Sequence, residues 1–224
     1  MDNVMINQII LVTDGQSNVG GDPALAAYEA ASKGIIVNAI GIIDGENTGI
    51  QEVKNIAQKG NGKHQLVEIK DLASSMVLVT QQSMQATLEQ VVNAQLKELI
   101  DSEITEIIPD KRGAVFEFIE KMQDEIPMRC LILVDTSGSM VNKLQPSRDS
   151  IISLFKSFEV RTGEVSIGVM AFPGNKEHAK IICPFTDNIH GLDRKLLRLQ
   201  ASGNTPTAPA IRAAISYISG DKDS

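Results

Sequence analysis

Three apolar runs in this chain lack a polar face: Gln8–Val12, Ile35–Ile42 and Cys130–Val134. A half-wet strand alternates polar and apolar residues, whereas a run without alternation reads as a strand covered on both sides. Helices must then lie on both faces of the sheet, which restricts the chain to a layered α/β architecture. The segments between the runs supply such helices. Asp22-Pro23 is a capping carboxylate followed by proline in a first turn, so a helix is expected over Ala24–Lys33, stopped by Gly34. Thr48 and Gln51 have capping-box spacing, and Ile50, Val53, Ile56 and Ala57 form a helical stripe that ends at Gly60-Asn61-Gly62. His64–Ile69 reads as the next strand. Strand, helix, strand, helix, strand argues for a parallel sheet.

Residues 71–100 read as one long helix, with Met84, Leu88, Val91, Gln95 and Leu99 at helical spacing. Charge is dense from Lys97 to Glu125. Pro109-Asp110 breaks the pattern, and Phe116, Ile119 and Met122-Gln123 suggest one short amphipathic helix. Residues 101–128 are therefore expected to be a solvated connector covering one side of the core, or else a helix that binds a partner. Alternation then resumes. After the Cys130–Val134 strand, Ser147 opens a helix with Ile151, Ile152, Leu154, Phe155 and Phe158, ending near Gly163. Strands follow at Val165–Phe172 and Ala179–Cys183, linked by Pro173-Gly174-Asn175. Thr205 to Thr207 lead into a last helix with Ile211, Ala214, Ile215 and Ile218 on one face.

Charge narrows the function classes. Lys and Arg total 21 against 28 Asp and Glu, a net charge of −7. No basic stripe is present for a nucleic acid to follow, so no nucleic-acid partner is expected. No apolar stretch approaches the ~20 residues of a membrane helix, and no membrane association is expected. Met1–Gln8 lacks the Lys or Arg of a signal peptide. The two cysteines, Cys130 and Cys183, lie in apolar runs and read as buried, reduced thiols. The expected location is the cytoplasm. His64, His178 and His190 are scattered and read as surface residues.

Three short segments, each after a strand or before a helix, carry the chemistry. They are Asp135-Thr136-Ser137-Gly138-Ser139, Gly203-Asn204-Thr205-Pro206-Thr207 and Thr13-Asp14-Gly15. Together they offer two carboxylates and several hydroxyls, a hard all-oxygen set suited to Mg²⁺ or Mn²⁺. Asp135, Ser137 and Ser139 alternate, so an extended turn points all three one way. Singly, each residue has a plainer reading: Asp14 as a turn former, Thr205 as a helix cap, the serines as loop hydroxyls. An aspartic-protease turn is disfavoured, because Ser137 stands where that motif needs glycine and no second copy exists. The glycine-containing segment at 203–207 has no Lys for a phosphate-binding loop.

At these residues the chain resembles the von Willebrand factor type A (vWA) family. The segments are LILVDTSGSM, SGNTPTAPAI and IILVTDGQSN, and the likeness extends over residues 5–80 and 128–219. The family's metal-ion-dependent adhesion site uses an Asp-x-Ser-x-Ser loop, a Thr and an Asp. The resemblance places these on Asp135, Ser137, Ser139, Thr205 and Asp14, with Ser17, Asn18, Met140 and Asn204 as a partner-binding rim. It implies a doubly wound, mostly parallel six-stranded sheet in the order 178–184, 165–172, 130–135, 8–13, 35–42, 64–69. The first two of these strands would pair antiparallel at one edge. In the usual family order the Asp-x-Ser-x-Ser strand comes first and the Thr-Asp-Gly strand fourth. Here that order is reversed, so a single circularly permuted domain over 1–224 is expected. Residues 1–80 would be the usual C-terminal half, 81–128 a helical connector and 129–224 the usual N-terminal half. Exchange of halves between two chains is the alternative to a closed monomer.

By resemblance the expected function is Mg²⁺- or Mn²⁺-dependent binding of an unidentified protein through an Asp or Glu side chain, in a bacterial cytoplasm. No catalysis is expected, since none of the three segments contains His, Cys or Lys. The alternatives are a metal-dependent hydrolase or phosphatase, and a scaffold with an unused metal site.

Overall fold

The computed structural model of the chain describes residues 5–44, 49–100, 103–107, 109–174 and 178–220. Thr48 of the expected capping box, Asn175 of the expected hairpin loop and residues 1–4 lie outside the described residues, as does the side chain of Leu99. Six strands share one sheet: β1 (Ile6–Thr13), β2 (Ile35–Ile42), β3 (Asn61–Val67), β4 (Met128–Asp135), β5 (Val165–Phe172) and β6 (Lys180–Thr186). Their order is β3-β2-β1-β4-β5-β6, with β5 and β6 antiparallel and every other pair parallel. Read from the β6 edge, this is the expected order.

Among the described residues seven α-helices flank the sheet: α1 (Pro23–Ser32), α2 (Ile50–Lys59), α3 (Leu72–Ile100), α4 (Pro109–Glu125), α5 (Leu144–Phe158), α6 (Leu192–Leu196) and α7 (Thr207–Ser219). The unbroken apolar runs are explained by two cores, one on each face. Along β1, Ile10 and Val12 belong to one core and Ile9 and Leu11 to the other; β4 divides the same way, with Cys130, Ile132 and Val134 against Leu131 and Leu133. Successive side chains point to opposite faces, so both sets must be apolar when both faces are covered. The first core is closed by Leu72, Met76, Met84 and Leu88 of α3, Ile119 of α4, and Ile151 and Leu154 of α5. The second is closed by α1, α2 and α7, and alanines dominate there: Ala26, Ala27, Ala30, Ala208, Ala210 and Ala214.

Several boundaries differ from expectation. The α3 stripe does not continue through Val91 and Gln95, which are exposed; Val92 and Leu96 are partly buried instead. Helix α4 packs against α3, and Gln123 Nε2 donates to the Gln81 carbonyl at 2.9 Å. The described part of residues 101–128 covers one side of the first core. Pro109 opens α4 rather than ending a helix, its fixed φ suiting a first turn, and Ile104, Ile119 and Ile126 are buried. Phe116, expected on the same face as Ile119, is exposed together with Phe118. Helix α5 starts at Leu144, and Ser147 lies inside it, its hydroxyl donating to the Lys143 carbonyl at 2.8 Å. Strand β3 starts at Asn61, within the segment expected to stop α2, and Ile69 falls in a 3₁₀ turn after it. The β2–β3 register shifts there, and a Cβ at Gly62 would run into the Val37 carbonyl. Helix α6, which follows the left-handed Gly191, has no counterpart in the sequence reading. Among the described residues no helix is long and apolar enough to cross a membrane.

Candidate metal centre

Strand order reverses between β1 and β4, since β2 and β3 lie to one side and β5 and β6 to the other. In open α/β sheets the crevice outside the carboxyl ends of the strands at such a point receives ligands. Thr13 ends β1 and Asp135 ends β4, which delivers Asp14 and the Asp135 loop to this crevice.

Asp135 is fully buried. Its Oδ2 accepts the Thr13 hydroxyl at 2.6 Å and its Oδ1 accepts the Ser137 N–H at 2.8 Å. Burial pushes its carboxyl above the ordinary range, opposed by these donors and reinforced by the nearby Asp14 charge. The chain of contacts continues to Asp14. Ser137 Oγ and Ser139 Oγ are 3.2 Å apart, and Ser139 Oγ donates to Asp14 Oδ1 at 2.7 Å. Four of the five expected ligand residues thus form one hydrogen-bonded cluster drawn from two ends of the chain.

Thr205, the fifth, is buried in a loop latched to the other two. Its N–H donates to Asn18 Oδ1 at 2.9 Å, and its carbonyl accepts the Ser17 hydroxyl at 3.2 Å and the Asn18 N–H at 3.3 Å. Gly138 N–H donates to the Gly203 carbonyl at 3.3 Å, and Ser202 N–H to the Thr136 carbonyl at 2.8 Å. Ser17 and Asn18, expected at the rim, therefore also clamp the Thr205 loop. Asn204 is exposed beside it. Met140 is not a rim residue: it is 0 % exposed and packs in the first core, out of a partner's reach. The exposed apolar side chain next to it is Val141. A left-handed Gly49 seats the Asp14 loop, where a Cβ would come within 2.9 Å of the Gly15 carbonyl.

Lys143 was not among the expected residues. It lies beyond the Asp135 loop and folds back, so that Nζ donates to Asp14 Oδ2 at 2.7 Å and pairs with Asp44 Oδ2 at 3.0 Å. A lysine does reach the cluster, although none lies in the three segments. Burial works against its charge, but Asp14 and Asp44 more than compensate and hold its pKa above the usual lysine value. Thr13, within one of the three segments but not among the expected ligands, is the donor that orients Asp135. Glu52 was missed as well: its Oε1 accepts the Ser17 N–H at 2.8 Å.

The cluster's donors are two carboxylates and three hydroxyls. Among the described residues no three His, Cys, Asp or Glu side chains converge to hold an ion. The three histidines are exposed, and Cys130 and Cys183 are buried free thiols, that of Cys130 pushed up to about 12 by burial.

Residues 5–84 and residues 130–223 each match a family model described as the von Willebrand factor type A domain. The chain is 37% identical over 220 residues to the uncharacterized protein YabS of Bacillus subtilis (strain 168), covering 96% of this chain and 89% of that protein. It is also similar to the crystal structure of an uncharacterized protein from Alicyclobacillus acidocaldarius subsp. acidocaldarius DSM 446. There the TM-score is 0.91 and the identity 37%, over 96% of this chain and 95% of the other.

Proposed function

Because this chain belongs to the von Willebrand factor type A family, we propose that its loop cluster is a metal-ion-dependent adhesion site that binds a partner protein. Asp135, Ser137, Ser139, Thr205 and Asp14 would hold Mg²⁺ or Mn²⁺. Two observations support the fit. The donors are all hard oxygens, which suits these ions. The crevice also already draws positive charge, for the Lys143 ammonium sits on Asp14 at 2.7 Å. When bound, such an ion supplies an open coordination position for an Asp or Glu carboxylate of the partner.

The chain's own residues do the positioning. Thr13 and the Ser137 N–H orient the Asp135 carboxylate, Asn18 and Ser17 fix the Thr205 loop, and the Asp135 loop is stitched to residues 202–203 by main-chain bonds. Asn204 and Val141, both exposed, give the partner a mixed polar and apolar rim. Charge-assisted pairing in a half-dry rim confers specificity as well as affinity. The single observation that carries this proposal is the continuous bond path from Asp135 through Ser137 and Ser139 to Asp14.

The chain order is, on the same reading, a circular permutation within one closed chain. The two family matches are separated by residues 85–129, as a reversed order of the two halves would yield. Buried free thiols and the Bacillus relative favour a bacterial cytoplasm. Thermal melting tests the metal site. Millimolar Mg²⁺ is expected to raise the melting temperature of the wild type and EDTA to reverse it, since an ion that binds only the folded state stabilises it. The Asp135→Ala protein should melt at the same temperature in both. A wild-type melt indifferent to Mg²⁺ and Mn²⁺ would refute the proposal.

A further inference from the structure

We propose that Lys143 is a built-in rival for the ion: its ammonium holds Asp14 until a divalent cation displaces it toward Asp44. This rests on the metal-site reading above and adds to it a means of setting ion affinity.

Both oxygens of Asp14 are engaged by this chain's own donors. Oδ1 accepts from Ser139 Oγ at 2.7 Å and Oδ2 accepts from Lys143 Nζ at 2.7 Å. The Asp14 side chain is 1% exposed and that of Lys143 12%, so the pair is largely removed from water. Two cations cannot share so buried a carboxylate without strong repulsion, because screening there is weak. An ion that takes Asp14 must therefore take it from Lys143.

The ammonium has somewhere to go. Asp44, just past β2, already pairs with Nζ at 3.0 Å, and its side chain is 73% exposed. The four-carbon lysine stem lets the charge move outward while keeping this second partner. The main chain of Lys143 stays fixed meanwhile, because its carbonyl accepts both the N–H of Ser147 at 3.0 Å and the Ser147 hydroxyl at 2.8 Å. Asp14 and Asp44 thus offer the ammonium an inner and an outer seat. The inner seat offsets the Asp14 charge without an ion, and the outer one frees Asp14 for it.

Calorimetric titration of Mg²⁺ into wild type, Lys143→Gln and Lys143→Arg tests this. Removing the rival charge is expected to tighten Mg²⁺ binding by about tenfold or more, on the scale of close charge pairs. The arginine protein, which keeps the charge, is expected to stay within about threefold of wild type. A second readout uses the wild-type protein alone. With lysines carrying ¹³C-methyl labels, the Lys143 signal should move on Mg²⁺ saturation toward its position in Asp14→Asn, where the inner seat has lost its charge. Wild-type binding with equal or weaker binding by Lys143→Gln would overturn the role of Lys143 and leave the metal site standing. A Lys143 signal unmoved at saturation would do the same, even if Lys143→Gln failed to fold. Failure of both wild type and Lys143→Gln to bind Mg²⁺ would overturn the metal site and this inference together.

Discussion

Glu52 is half buried, and its carboxylate holds the Ser17 N–H behind the Thr205 loop. Burial raises its pKa above the ordinary 4.5; the Ser17 hydrogen bond opposes this and the charge of Asp22 adds to it. Folding therefore favours the protonated form. The stability linked to this group is fully present below the ordinary pKa and is lost as pH rises through the higher folded-state value. Glu52→Gln keeps the acceptor and cannot ionise. It is expected to be more stable than wild type at pH 7, with the advantage shrinking to nothing near pH 4, as measured by urea unfolding at both pH values. An advantage of equal size at both would show that ionisation of Glu52 is not its source. At this scale the convergence of Asp135, Ser137, Ser139 and Asp14 was legible through the resemblance, and the first three also through local spacing, two apart in one turn. Lys143 and Glu52 were not. Their side chains reach the crevice through the turn after Ser139 and the first turn of α2, and no residue pattern encodes where a long side chain ends. Met140 failed for the complementary reason. A turn beside a site has an inner side as well, and a large apolar side chain takes it.

A buried polar knot fastens α3 to the sheet. Gln8 Oε1 accepts Asn38 Nδ2 at 2.9 Å and Ser83 Oγ at 3.0 Å, while Asn38 Oδ1 accepts the Lys63 N–H at 2.8 Å. All three side chains are buried, on β1, β2 and α3. Asn38→Ala would leave the N–H of Lys63 without its acceptor and take from Gln8 Oε1 one of its two donors, and is expected to cost about 1–3 kcal/mol in equilibrium unfolding. A loss below a few tenths would mean that water takes over both bonds. The strands and the alternation of elements were legible, because burial on two faces forces unbroken apolar runs. The ends of elements were less so. Strand β3 begins in a Gly-Asn-Gly segment that resembles a helix stop, yet Asn61 is already paired with Val37 of β2 and the Val37 N–H donates to the Gly60 carbonyl at 2.9 Å. The helix in the connector was legible from Ile119 and Met122, which pack on the first core, whereas Phe116 of the same stripe is exposed. At both edges of the sheet the pairing is irregular, between β2 and β3 and between β5 and β6, a device that discourages further strands from adding on.

The two halves meet along β1 and β4, and the last turn of α7 is tied to the same seam. Ile6 pairs with Met128, Asn7 with Arg129, and Arg129 Nη1 donates to the Ile218 carbonyl in the last turn of α7 at 3.4 Å. The end of α7 therefore lies near the start of β1. If the chain is a permutation, it should tolerate being rearranged. A protein opened within residues 101–108, with Gly220 joined to Met5 through a short flexible linker, is expected to fold to the same sheet and melt cooperatively. An unfolded product would count against permutation. The whole-molecule order was legible through the resemblance, because β1 and β4 carry the two family segments that must be neighbours. The packing of α3 on α4 that closes the first core was not.

The division of the cluster between distant stretches has a consequence for synthesis. Asp14 leaves the ribosome early, the Asp135 loop much later and Thr205 last of the three. A nascent or prematurely terminated polypeptide thus displays an isolated acidic turn with no cradle around it. On the proposed reading the donor set is complete only once translation has passed Thr205, so a chain stopped before that point could not hold the ion.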